Sequence, residues 1–573
     1  MIPPAGSVSD KRHLFPAVFL PLAAAMGGLR TWGALAAFSA LFFIYLAFFD
    51  EDFSFSGLGV WELLAAWLAV SSAFSPEPLN SFWQFSRYLL LFSFYIFSSR
   101  RALNARRAWA WSVFLLGTIA ACLSVYEGVL GLGVGSVLGF NPNYSSAVMA
   151  AAFAGTAALL SGALDRKTRV IAAAGLTFLF AGLIFANSRG GLLAALAALF
   201  YLLCLKKAWR ALLYLTAGIL FITVLLPKEQ FGWLLKMDDP FSLERLKIWR
   251  AALGAIAGRP LFGWGPGLFE RVFEVFKFPF YNGISYYGHS TPHAHSELLN
   301  LAAEAGIPAA ILLVWGWSRA VFTVDDGDRW GTVLKVFAVA LFVQSTVDII
   351  FYSGALQVFF FGTLGLLSAG KSRTVDAPGS RVRALSLLLA CWCGAFILRS
   401  GFERDKACAL NAGTALSARE ACLKKAVVFA PGDPALLEVS IPLSIEVYGD
   451  YAYTAALAGD AALKRPRDPF PQFARAQAFY MAGAVHPAKA EFYRVLALEP
   501  AFLRARLRLA EILAAEKNYR AAAAELRGIG TELAKNGPAP RTAYDRNLYA
   551  LPAEPYAKIK QGLLNRSATP GLQ

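Results

Sequence analysis

The chain is 573 residues long, with 57% hydrophobic and only 16% charged residues, a balance too apolar for a water-soluble protein of this size. Its formal net charge of +16 does not read as a nucleic-acid interface, because the basic residues lie mostly in short connectors between apolar runs and in the C-terminal region. The composition predicts a membrane protein with no nucleic-acid partner, and 46 phenylalanines and 14 tryptophans suit lipid-facing and headgroup-level positions.

In chain order, Met1 to His13 is a short basic lead into an apolar stretch. Further spans follow it, so it reads as an uncleaved first helix rather than a removed signal peptide. Apolar runs bounded by charge or turn residues predict spans near 14–28, 31–49, 59–74, 83–98, 107–127, 143–162, 168–186, 189–206 and 209–226. After a long gap come 298–319, 329–347, 350–369 and 382–399, about thirteen helices on the length a bilayer demands.

Lys and Arg are retained on the cytoplasmic side, and with the N-terminus inside the even-numbered exits are the basic ones. They hold Arg100, Arg101, Arg106 and Arg107, then Asp165 to Arg169, then Lys206, Lys207 and Arg210, then Lys371 to Arg383. The second exit, Asp50 to Asp52, is acidic and breaks the pattern. The turn at Ser75 and the gap from 227 to 297 therefore face the periplasm. So does everything after the run Ala384 to Leu398, if that run crosses; at about 15 residues against the roughly 20 a span needs, it is the weakest span. Cys408 and Cys422 then sit in an oxidising compartment where a disulfide can form. The other four cysteines, Cys122, Cys204, Cys391 and Cys393, lie in or beside apolar runs, and no zinc-type spacing is present.

From about residue 400 the composition turns to Ala, Arg, Glu and Leu with helical periodicity. The segment Pro500 to Ile529 places small residues where two antiparallel helices touch, and resembles a tetratricopeptide repeat. Pro471, Phe473, Arg475 and Ala476 align with Pro500, Phe502, Arg504 and Ala505, a 29-residue offset in place of the usual 34. The predicted organisation is a membrane domain over 1–399 with its loop at 227–297, helical repeats over 400–537 and a loosely held tail over 538–573. The repeats offer a surface for a partner protein or an acceptor.

Three of the five histidines, His289, His293 and His295, fall within seven residues at the end of the long gap, and His295 immediately precedes the tenth helix. An imidazole there meets the headgroup of a lipid-linked substrate; the plainer alternative is a metal-binding or merely polar loop. Arg189 lies in a tight turn, where Gly190 and Gly191 permit close backbone approach. It can offer a bidentate guanidinium to a diphosphate or simply snorkel to the interface. Arg245 and Arg250 fall on an amphipathic helix in the gap, and Trp249 lays that helix on the bilayer. The GWGPGLF run after it is a turn and not a nucleotide loop, since no Lys-Ser or Lys-Thr follows. Arg87 and Asp348 are ionisable groups near membrane depth and are functional suspects on that ground, although Asp348 also suits a plain inter-helix turn.

The strings NSRGG from Asn187, RLKIWRAAL from Arg245 followed by RPLFGWGPGLF, and HAHSELLNLAAEAGIP from His293, with FNPNYSSAVMA from Phe140, together resemble the O-antigen ligase and polymerase superfamily, which includes protein O-oligosaccharyltransferases. The resemblance covers roughly residues 60 to 370. It implies an all-α, polytopic membrane fold of the GT-C kind, with about twelve helices and one large periplasmic loop. It also implies transfer of a glycan from an undecaprenyl pyrophosphate carrier to a hydroxyl of lipid A core, a growing glycan or a protein. By matching position, Arg189 and Arg245 bind the diphosphate and His295 activates the acceptor. Arg250, His293, Arg87, Asn143 and Asp348 contribute to substrate binding, and no metal or cofactor is required. Where the family commonly reads His-Asn, this chain has His295 followed by Ser296, which removes a side-chain amide contact but not the imidazole. A flippase for lipid-linked glycans and a non-catalytic assembly platform are the alternatives. The histidine cluster in a large extracytoplasmic loop favours the transferase, and no inverted repeat is evident.

Overall fold

A chain inside hydrocarbon must satisfy its own backbone N–H and C=O groups, and a helix does so locally. The computed structural model describes residues 16–49, 59–99, 104–132, 138, 141–225, 240–322, 328–369, 380–535, 540 and 542–567, and every regular element among them is a helix. The protein is an all-α, multi-pass membrane protein. It divides into two compact units: residues 1–267 with 293–398, and residues 268–292 with 399–573.

The first unit is built from α1 (Pro16–Ala25), α2 (Trp32–Phe49), α3 (Val60–Ala73), α4 (Pro78–Ser99), α5 (Asn104–Val129), α6 (Pro142–Leu160), α7 (Arg166–Phe185), α8 (Arg189–Leu205), α9 (Trp209–Leu225) and α10 (Pro240–Gly258). After the excursion of the chain into the second unit, which includes α11 (Phe269–Phe276), come α12 (Glu297–Ala305), α13 (Ile307–Phe322), α14 (Arg329–Val347) and α15 (Gly354–Ser368), then the first part of α16 (Ser380–Leu410). Helix starts follow local capping chemistry. Asn141, Asp165, Ser188 and Asp328 each accept a backbone N–H of the following turn through their side chains, and Pro142 occupies a first-turn position that needs no donor.

Among the described residues, α5, α6, α7, α14 and the α12–α13 pair are long and apolar enough to cross a bilayer, and α2, α3, α8 and α15 are shorter apolar helices. The apolar window of α14 is 78% buried, whereas that of α7 is 17% buried. A helix apolar on all sides is stable when protein or lipid surrounds it, so α14 is a central helix and α7 a lipid-facing one. Small residues set the close approaches. A Cβ on Gly155 would stand 2.4 Å from the Phe337 ring, and one on Gly182 would stand 2.6 Å from Ala121. Phe19 gathers Phe38, Phe42, Tyr45, Phe94 and Phe97 edge-on at 5.4–6.4 Å, the geometry that ring quadrupoles prefer.

Three features add detail to the expected spans and loop. The tenth span is broken at Gly306, whose φ of +83° separates α12 from α13. Ile307 N–H there donates to the Pro260 carbonyl at 2.8 Å, and a Cβ would collide with the Leu261 carbonyl at 1.9 Å, so the break is set by the docking of the loop. The weakest span proves to be part of a continuous 31-residue helix, α16; the charged residues flanking the apolar run propagate the helix. Residues 268–292, assigned by sequence to the loop of the membrane domain, pack with the C-terminal helices.

The second unit continues from α16 through α17 (Leu416–Phe429), α18 (Pro434–Tyr448), α19 (Tyr451–Lys464), α20 (Pro469–Met481), α21 (Val485–Leu498), α22 (Leu503–Ala515), α23 (Tyr519–Ala534), α24 (Ala543–Leu548) and α25 (Ala553–Ser567). Cys408 on α16 is disulfide-bonded to Cys422 on α17. Helix starts at Pro434, Pro469 and Leu503, and at Tyr451, Val485 and Tyr519, recur every 34 or 35 residues, which corrects the 29-residue offset. Pro471 lies inside the first turn of α20 whereas Pro500 precedes α22, so the sequence alignment slipped by about one amphipathic turn. Ala476, Ala488 and Ala505 are fully buried with Phe492, Val495 and Phe502 in the core between these helices. Residues 1–13, 50–52, 100, 101, 140, 227–239, 371–379, 538, 539 and 568–573, on which parts of the topology, motif, loop and tail readings fall, lie outside the described residues.

Candidate active site

The site grows from the end of α14. Asp348 follows the last residue of that helix and is buried, and its Oδ1 accepts the N–H of Ile349 at 2.8 Å. His295 Nδ1 stands 4.0 Å from the same oxygen, just beyond hydrogen-bond length. The imidazole is 28% exposed, open enough to meet a substrate. Arg245 of α10 reaches the same place, donating from Nη1 to the Val347 carbonyl at 3.2 Å. A guanidinium is favoured there by the partial negative charge at a helix C-terminus.

The backbone around the histidines is fixed on its downstream side. Ser296 caps α12 by accepting the Leu299 N–H, and the Asn300 side chain accepts the Ala294 N–H at 3.1 Å. His295 itself has φ +53°, a left-handed conformation that few non-glycine residues adopt. It turns the imidazole beside His293, at 4.9 Å between ring centroids, and His293 in turn packs edge-on to Tyr352 at 5.6 Å. Burial pushes the His293 imidazole down to about 4; His295 and Arg245 act in the same direction, and Asp348 opposes them. His293 is therefore neutral near pH 7.

A second layer lies behind Tyr352. Its carbonyl accepts Arg87 Nη2 at 2.9 Å, while Arg87 Nε has no hydrogen-bond partner among the described residues. The Phe351 N–H donates to buried Glu297 at 2.6 Å, and the Arg30 guanidinium stands 5.8 Å from the Tyr352 ring centroid. Arg189 is the first residue of α8 and half-buried. Its turn is held by Ser188, whose Oγ donates to Asn143 Oδ1 at 2.7 Å and accepts from Ser146 at 2.9 Å. Gln344 of α14 donates to the Asn143 carbonyl at 2.8 Å. A Cβ on Gly191 would meet that of Ser146 at 2.5 Å, so the glycine is required for α8 to start here.

The structure thus brings His295, His293, Asp348 and Arg245 together, sets Arg87 behind them through Tyr352, and ties the Arg189 turn to α14 through Asn143. It does not bring in Arg250, which is exposed and lies about 140° round α10 from Arg245. His289 belongs to the second unit, its ring 4.9 to 6.2 Å from those of Phe273, Phe278 and Phe280. Arg30, Tyr352 and Glu297 were not singled out from the sequence. Arg30 carried a signal: a basic residue at the first exit, on the side where the short turns at Ser75 and Asp348 carry no Lys or Arg. No group of three or more His, Cys, Asp or Glu residues arranged to hold a metal occurs among the described residues. The glycine turn after α10 is a lock. Gly265 N–H donates to the Glu304 carbonyl at 2.7 Å, and its φ of +118° carries it within 2.2 Å, measured from an added Cβ, of Ser75 Oγ.

No curated protein matches this chain. Residues 174–314, which hold Arg189, Arg245, His293 and His295, match the family model described as O-antigen ligase. Over that segment the membrane unit is similar to the O-antigen ligase family.

Proposed function

We propose that the chain transfers a glycan from undecaprenyl pyrophosphate to a hydroxyl of lipid A core, a growing glycan or a protein, at the periplasmic face of the bacterial inner membrane. The observation that carries this reading is the meeting of His295, Asp348 and Arg245 at the end of α14. The acceptor oxygen attacks the anomeric carbon, the bond from that carbon to the diphosphate oxygen breaks, and its electron pair leaves on the diphosphate. The hydroxyl proton passes to His295 Nε2, because Nδ1 faces Asp348, which favours the tautomer with the proton on Nδ1. Arg245 and Arg189 supply the planar N–H forks that stabilise charge developing on the leaving diphosphate, with Arg87 as a further donor. His293, held neutral, shapes the pocket. No metal takes part in this scheme, since the arginines neutralise the leaving group.

Two features support the periplasmic placement. Residues 268–292 and the C-terminal helices form one compact unit, so loop and repeats share one side of the membrane. The Cys408–Cys422 disulfide suits an oxidising compartment. The large-loop helical bundle suits the GT-C class, and the 34- to 35-residue helix-pair spacing suits the tetratricopeptide type. The test is purified protein with radiolabelled undecaprenyl-pyrophosphate glycan and a chelator, with and without lipid A core. Label should move to lipid A core in one step or build a ladder without it; label remaining on the carrier under both conditions overturns the reading.

A further inference from the structure

The chain between α14 and α15 carries Asp348 at its start and is tied down by groups from elsewhere in the membrane unit. Its residues Ile350–Tyr352 form one turn of 3-10 helix. The first N–H groups of any helix have no partner within it, and in a protein interior they must find one outside. Phe351 N–H does so in α12: it donates at 2.6 Å to Oε1 of Glu297, a buried side chain in the first turn of that helix. On the next residue, the Tyr352 carbonyl accepts Arg87 Nη2 of α4 at 2.9 Å, and Ser353 Oγ then donates to the Gly28 carbonyl at 3.2 Å. Three successive residues of the connector are thus bonded to α12, to α4 and to the turn between α1 and α2.

Of these ties, the one from Glu297 bears on the chemistry. Glu297 comes two residues after His295 and Phe351 three residues after Asp348, all within the membrane unit. One hydrogen bond therefore closes a short circuit of chain through the imidazole and its carboxylate neighbour, whose Nδ1 and Oδ1 stand 4.0 Å apart. The far end of α12 is held independently: Trp67 Nε1 donates to the Ala305 carbonyl at 2.8 Å, and Gly265 N–H to the Glu304 carbonyl at 2.7 Å. Releasing the Glu297 bond frees the end of α12 next to His295 while the rest of the helix stays docked. We propose that Glu297 is a positioning residue for the transfer reaction: by accepting the Phe351 N–H, it sets the spacing of His295 and Asp348 between the start of α12 and the end of α14. This inference rests on the transfer reading above.

The experiment measures kcat and donor KM with labelled undecaprenyl-pyrophosphate glycan for wild type, Glu297→Asp and Glu297→Gln, and repeats the aspartate change in a His295→Ala background, all in full-length protein. Aspartate is one methylene shorter and withdraws from the Phe351 N–H, so kcat should fall about ten- to a hundredfold with donor KM within about threefold of wild type. Glutamine keeps an accepting oxygen at the same reach, so its kcat should stay within about threefold of wild type by the same argument. Because Glu297 acts through His295, the aspartate change should lower kcat by less than about threefold once the imidazole is gone, the non-additivity of residues that work as a unit. A residue that merely supports the fold would exact its full loss in either background. Wild-type kcat in Glu297→Asp overturns the proposal, as does a loss confined to KM or an equal loss in both backgrounds. A glutamine variant as impaired as the aspartate one overturns it too, and gives the carboxyl a proton-carrying role instead. Wild type that transfers nothing, or His295→Ala that transfers at the wild-type rate, overturns the parent reading and this one with it.

Discussion

A left-handed φ of +53° at His295 and a neutral, half-buried His293 two residues earlier show two imidazoles in one tripeptide held in different surroundings. His293 has its folded value at about 4 against about 6.5 in an unfolded chain. Between those values the unfolded state binds more protons, so stability rises with pH there and is lost as pH falls below about 6.5. The thermal midpoint of the purified protein should therefore drop more between pH 7 and pH 5 in wild type than in His293→Gln; parallel curves would show that His293 does not titrate as described. At this scale the sequence exposed the residues that sit in dense polar strings, His293, His295, Arg189 and Arg245. It hid Tyr352 and Glu297, because their parts depend on where Arg87 and the chain after Asp348 come to rest. Arg250 shares a helix with Arg245 but not a face.

Helices that meet at the site do so through their ends. α14 contributes its C-terminus, α8 and α12 their capped N-termini, and α10 one side, and each end leaves backbone groups or a helix dipole available to an anion or an imidazole. Hydropathy located these helices well, because an apolar run bounded by charge is a local signal. It could not show that α16 continues for 31 residues, about 46 Å at 1.5 Å per residue, since the flanking Arg, Lys and Glu that extend it look like connectors. The repeat register was misread although Asp433-Pro434 and Asp468-Pro469, each a helix cap followed by a first-turn proline, mark the true spacing. Amphipathic patterns recur every three to four residues and align in several registers, whereas a cap does not. Alkaline phosphatase fused after Gln573 should be active, and thiol labelling of intact cells should leave Cys408 and Cys422 unmodified until a reductant is added. Cytoplasmic fluorescence from a fused green fluorescent protein would place the C-terminal unit on the other side and contradict the account.

The molecule as a whole is assembled out of sequence order. A stretch of 25 residues, 268–292, leaves the membrane unit to fold with helices that begin more than a hundred residues later, then returns to deliver His293 and His295. No local pattern announces such an exchange, since it depends on long-range partners such as Tyr286 with Glu499 and Ser285 with Asp545. The most direct test is the rate of labelled glycan transfer by purified His295→Ala alongside its binding of the undecaprenyl-pyrophosphate donor. The account predicts a loss of about a hundredfold or more in transfer, the range for removing a general base, with donor binding within about threefold of wild type. Transfer at the wild-type rate by His295→Ala would contradict it.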